Sequence, residues 1–152
     1  MATSTLVQLL STEAQGGSAA SMNRSQEETF IAGGTIAAGD WVSWDATGQT
    51  LSDAALYVIE AIAVGTVGNS LAFGVAKEAA VSGAKVRVCI GGYCAVASVP
   101  AATVQGSALI GPVTVAGQAT IEVPGTTSGN LCGVALGADT ANFAEVMVIK
   151  QF

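Results

Sequence analysis

The chain has no histidine, which removes the commonest general base near neutral pH and the commonest metal ligand together. Ser-His-Asp and Cys-His catalysis are excluded with it. Ser82-Gly-Ala-Lys85 has the Ser-x-x-Lys spacing of serine acyl-enzymes, but that motif must open a helix, and Gly83 here precedes an alternating, strand-like run. Asp40, Asp45 and Asp53 lie near one another in sequence, yet they lack the one-in-two ligand spacing and the terminal glutamate of a calcium loop. Asp45-Ala-Thr-Gly48 reads instead as a β-turn. Gly65-Thr-Val-Gly-Asn-Ser70 has neither the lysine nor the spacing of a phosphate-binding loop and reads as a strand connection. No catalytic residue, cofactor or metal site is expected.

Cysteine and tryptophan offer the remaining chemistry. Cys89-Ile-Gly-Gly-Tyr-Cys94 reads as a β-hairpin turning at Gly91-Gly92, which sets Cys89 opposite Cys94. A non-hydrogen-bonded pair of this kind holds its Cα atoms about 4.5 Å apart, so a cross-strand disulfide is geometrically open. A reducing cytoplasm keeps thiols free, and free thiols are the expectation. Three cysteines without histidine leave a zinc site one ligand short. Trp41 and Trp44 suggest a sugar-stacking platform, but a separation of three on one strand puts them on opposite faces. One is expected in the core and the other at a subunit contact.

The elements that position these residues are strands. From Ile36 onward, short β-branched runs are punctuated by glycine: Asp40–Trp44, Ala46–Gln49, Leu56–Ile59, Leu71–Val75, Lys85–Ile90, Cys94–Ala97, Val113–Val115, Ala119–Val123, Leu131–Ala135 and Glu145–Ile149. This spacing predicts an all-β fold, a small antiparallel barrel or sandwich over residues 31–152. Ala76 to Gly83 and Pro100 to Ser107 each have room for a helical turn, without several periods of 3.6. Residues 1–30 differ, being polar, with a Gly16-Gly-Ser-Ala-Ala-Ser21 stretch of linker composition. They read as an extended N-terminal arm; a frayed tail is the plainer alternative. Within the arm, Leu6, Val7, Leu9, Leu10, Phe30 and Ile31 are expected to supply apolar contacts to a partner, with Arg24, Glu27 and Glu28 fixing register.

A weak echo links Ala72-Phe-Gly-Val-Ala76 to Leu131-Cys-Gly-Val-Ala135, each followed by a valine-rich strand at Val86-Arg-Val88 or Val146-Met-Val148. Two related halves would produce it, as would chance in a small alphabet of Ala, Gly, Val and Thr.

Composition bounds the function. Hydrophobic residues make up 51%, charged residues 11% and aromatics 5%, so the surface is neutral and suited to burial against other subunits. With a net charge of −6 and a pI near 4.3, no field attracts phosphates, and no nucleic-acid partner is expected. The longest apolar stretch, Leu56 to Val67, contains Glu60 and falls short of a membrane span. The N-terminus lacks the basic region of a signal peptide, so synthesis in a cytoplasm is expected.

Ala37-Ala-Gly-Asp-Trp-Val42, Gly48, Gly74-Val-Ala76, Gly83-Ala-Lys-Val-Arg-Val88 and Gly91-Gly92 together resemble the small β-barrel decoration (cement) proteins of tailed phages. The match covers about residues 30 to 97, and Trp41 stands where the family usually has a polar residue. The resemblance implies a virion protein on the outer capsid surface, bound to the major capsid protein, commonly as a homotrimer, and stabilising the shell. Other virion components of similar build, a head fibre base or a tail element, are the first alternative. A bacterial carbohydrate-binding or adhesin module is the second.

Overall fold

The computed structural model describes residues 25–45, 56–63, 65, 67–127 and 129–151, and these are all-β. Nine strands appear among them: β1 (Ser25–Ala32), β2 (Trp41–Trp44), β3 (Tyr57–Glu60), β4 (Ala72–Ala76), β5 (Lys85–Ser98), β6 (Ala108–Ile110), β7 (Thr120–Ile121), β8 (Leu131–Ala135) and β9 (Phe143–Val148). No described helix is long and apolar enough to cross a membrane. The Ala76–Gly83 and Pro100–Ser107 segments form turns and bends.

The alternation in Lys85-Val-Arg-Val explains how β5 begins. Val86 and Val88 are buried while Lys85 and Arg87 face solvent, as the two-residue period of a strand requires. This first half of β5 closes a barrel, because the strand order β1-β3-β2-β4-β5 returns to β1 through an antiparallel β1–β5 ladder. At Gly91-Gly92 the chain does not turn back. β5 runs on to Ser98 and takes β9 as a new antiparallel partner from Gly92 onward. The expected hairpin is therefore absent: only Gly92 of the pair has positive φ (83°), whereas a type I′ turn needs it at both central residues.

The strands after β5 repeat the first barrel. Val42 faces Gly74 and Ser43 faces Ala72 across a bulge; Leu109 faces Gly133 and Ile110 faces Leu131 across a bulge at the same step. Val75–Cys89 and Ala76–Val88 are matched by Val134–Met147 and Ala135–Val146. Phe30–Val86 and Ile31–Lys85 are matched by Ala97–Ala144 and Ser98–Phe143. The second half of β5 thus stands where β1 stands in the first barrel. Connecting turns agree as well: Gly39 N–H donates to Ala76 O and Gly106 N–H to Ala135 O, both at 2.8 Å.

The two rings close differently. In the first, Ile31 N–H donates to Leu56 O and Gly33 N–H to Val58 O, forming a parallel β1–β3 contact. In the second, Ala119 N–H donates to Ser98 O at 3.0 Å, and the Gln118 side chain donates to Val99 O. Pro100 occupies the position of Gly33 and has no N–H to give, so no ladder forms there.

Each barrel has its own apolar interior. The first holds Phe30, Val42, Val58, Phe73, Val86, Val88 and Ile90, with Trp44 packed against them. Trp44 stacks on Phe73 at 4.3 Å between centroids, and Phe30 meets both rings edge-on. Corresponding positions in the second barrel carry Ala97, Gly111 and Cys132, which fill far less space. Trp41, fully buried on the opposite face of β2 from Val42, joins the second cluster with Ala97, Leu109, Cys132 and Val148. Its indole packs so closely on Gly133 that a Cβ there would come within 3.0 Å of Cη2, and its N–H donates to Ser98 O at 3.1 Å.

Candidate interaction surface

Where the sequence suggested chemistry, the structure shows turns and packing. Asp40 accepts a hydrogen bond from Ala37 N–H at 2.7 Å and so caps the turn that leads into β2. Burial raises its pKa, against that hydrogen bond; burial, and then the charge of Asp40, raise Glu60. Gly117 packs on both carboxylates, leaving no room for a side chain of its own. Asp45 is buried, and Asp53 lies outside the described residues. Among the described residues, no group of three or more Cys, Asp or Glu could hold a metal ion. Ser82 Oγ donates to Gly33 O, while Lys85 is exposed at the start of β5. Asn69, in the glycine-rich connection, donates to Ile62 O and accepts from Leu71 N–H. Trp41 and Trp44 lie on opposite sides of β2 in different cores and form no platform.

Cys89 and Cys94 share one strand, so they are not a cross-strand pair, and both are buried free thiols. Cys89 Sγ lies 3.5 Å from Ser25 Oγ and 3.6 Å from the carbonyls of Gly91 and Tyr93. A hydrogen bond between the thiols lowers the pKa of Cys89 and raises that of Cys94; burial pushes both upward. Cys132 is raised by burial.

Of the arm residues, Leu6, Val7, Leu9, Leu10 and Arg24 lie outside the described residues. Ser25 to Phe30 belong to β1 of the first barrel, which moves the start of the folded body from residue 31 to residue 25. Phe30 is 5% exposed and belongs to the core. Glu27 pairs with Lys77 at 3.2 Å and Arg87 at 3.6 Å, and Arg87 also meets Glu78 at 3.4 Å. These charges make a solvated ion-pair surface on the first barrel. Glu28 is exposed and Ile31 half-buried on the same strand.

The same surface of the second barrel is less charged, with Glu145 and, from the first barrel, Lys77 and Glu27 bordering its clefts. By ladder and turn correspondence, Glu27 and Glu28 become Tyr93 and Cys94, and Thr29 becomes the bulged pair Ala95-Val96; Lys77 and Glu78 become Leu136 and Gly137; Lys85 becomes Phe143. Val96 is 50% exposed and Phe143 40%. Both approach Gly39, where a Cβ would sit 2.9 Å from Phe143 and 3.4 Å from Val96. Ala95 joins three shallow clefts. One of about 360 Å³ is bordered by Ala138 and Phe143. Another is bordered by Gly39 and Val96, and the third by Ser25 and Tyr93. Sequence reasoning missed this patch. The available signal was the charge distribution, since between Val88 and Ile149 the only charged residues are Glu122, Asp139 and Glu145.

No family model matches the chain, and no curated protein is significantly similar to it. Among solved structures, the head fibre gp8.5 N base of bacteriophage phi29 is similar over 82% of this chain and 94% of that one, with 15% identity and a TM-score of 0.48.

Proposed function

We propose that this chain is a non-enzymatic structural protein of a tailed-phage virion that binds the outer capsid surface and stabilises the shell. It acts through protein contacts alone, with the major capsid protein and with further copies of itself as a homotrimer, and without nucleic acid, membrane or cofactor. The observation that carries this reading is the second barrel's nearly uncharged exterior, with Val96, Val104, Val115, Val123 and Phe143 all exposed. Large apolar exposure of this kind on a small domain fits burial in an assembly. The resemblance to decoration proteins supports the same reading, because Ala37–Val42 forms the capped turn and the start of β2 in the first barrel and Gly83–Val88 forms the turn and strand that close it. The arm preceding Ser25 supplies contacts between neighbouring subunits.

Co-sedimentation of the full chain with shells of the phage that encodes it tests the proposal. The chain should pellet with intact shells at saturable stoichiometry and raise their disruption temperature. Failure to bind, or binding confined to tails, overturns it.

A further inference from the structure

We propose that the apolar patch formed by Ala95, Val96, Ala138 and Phe143 receives the Leu6-Val7-Gln8-Leu9-Leu10 segment of a neighbouring copy. This deepens the virion reading above, since it rests on copies standing side by side.

The fold does not require the patch. At equivalent positions the first barrel has Thr29 and Lys85, next to the ion pairs of Glu27, so the same strand geometry is stable with a polar and charged exterior. Exposed apolar side chains at Val96 and Phe143 need a cover to be favourable in water. The chain supplies one of matching character. The 24 residues before Ser25 include only two charged side chains, Glu13 and Arg24, and their one dense apolar run is Leu6 to Leu10.

The place where that segment joins the barrel sets its reach. Ser25 borders a cleft that Ala95 also lines, and the residues next to it in sequence, Ala20-Ser-Met-Asn-Arg24, are mostly small or polar. Leu10 is separated from Ser25 by the fourteen residues Ser11 to Arg24, which extend up to about 50 Å at ~3.3–3.6 Å each. That reach is long enough for a patch on the next subunit. Such a contact is heterologous and closes into a ring when the rotation between copies allows it.

A complementation experiment tests the exchange. One variant lacks residues 2–24 and keeps the patch. A second keeps the segment and carries Val96→Thr with Phe143→Lys, the first barrel's own residues at those positions. Sedimentation velocity at micromolar concentration should show the full chain associated and each variant alone monomeric, with association weakened at least about tenfold. An equimolar mixture of the two should form a one-to-one complex, because one contributes the segment and the other the patch. A monomeric full chain, undiminished association of either variant, or a mixture that stays monomeric overturns the proposal. If the double substitution unfolds by circular dichroism, Ala95→Glu, which sets a charge within the patch, replaces it. Loss of shell binding with self-association intact counts against the capsid reading alone; the reverse result counts against the exchange alone.

Discussion

The first barrel fills its interior with its own aromatic rings, Phe30, Trp44 and Phe73, whereas the second has Ala97, Gly111 and Cys132 in their places and takes Trp41 from the strand next door. One backbone plan therefore tolerates two ways of reaching close packing. Around β1 and its counterpart the exteriors differ in parallel: the ion pairs of Glu27 on the first barrel give way to exposed Val96 and Phe143 on the second. What the ladders fix is strand register, while volume and charge are left to vary between copies of the same frame.

The largest expected effect follows from the borrowed ring. Trp41→Ala should cost about 3–5 kcal/mol, the range for removing a large aromatic from a core. In urea unfolding followed by hydrogen exchange, protection should fall most in β6, β8 and β9. Equal loss in β1 and β3 would break the contrast between self-filled and borrowed cores. Cys132→Phe alone restores the ring of Phe73 where Trp41 already sits, and overpacking should cost about 1–3 kcal/mol. In the Trp41→Ala background the same change should recover stability, with a coupling energy of about 0.5–3 kcal/mol.

A smaller effect separates two equivalent glycines. Gly39 (φ +90°) would place a Cβ 2.9 Å from Phe143, while Gly106 (φ +86°) has open space around it. Gly106→Ala should cost about 1 kcal/mol from the left-handed backbone alone. Gly39→Ala should cost more, and equal melting temperatures for the two variants would contradict the packing of Phe143 over the turn.

The pH response should belong to the first barrel. Asp40 and Glu60 have raised pKa values there, whereas the corresponding Ser107 and Ile121 do not titrate. Raised carboxyl values mean that the folded state binds more protons than the unfolded one. Their stabilising contribution is therefore present at low pH and lost as pH rises from the ordinary carboxyl values through the raised ones. Asp40→Asn keeps an acceptor for Ala37 N–H and should flatten that fall in a series of melts from about pH 4 to about pH 7. An unchanged slope would assign the effect elsewhere. At the small end, Glu27→Gln should change stability by no more than about 0.5 kcal/mol, because its partners Lys77 and Arg87 are part-exposed.

Most strand positions were legible because β-branched runs and glycines punctuate the sequence at short intervals, and the all-β class followed from them; Val113–Val115 forms bends instead of a strand, and β6 (Ala108–Ile110) lay outside every expected run. The echo at Gly74 and Gly133 marks positions that face Val42 and Leu109 in matching ladders. For the final strands the ladders align Val88 with Val146, two residues from the spacing that the valine pattern alone suggests. Two residues is one strand period, so the pattern could not tell the registers apart. Gly91-Gly92 misled because the same dipeptide permits a turn or a kink, and the partners β1 and β9, distant in sequence, decide between them. Ser25 to Thr29 looked like arm because its polar side chains are matched by Lys77 and Arg87, some fifty residues on. The patch was least legible, since Ala95, Val96 and Phe143 become unusual only beside Thr29 and Lys85.

Strand β5 has a mechanical consequence. Modules joined by a linker can swivel, and a load between them falls on one covalent thread. Here the fourteen residues Lys85–Ser98 serve both barrels in turn, so tension passes into ladders on each side of the crossing, where many hydrogen bonds share it.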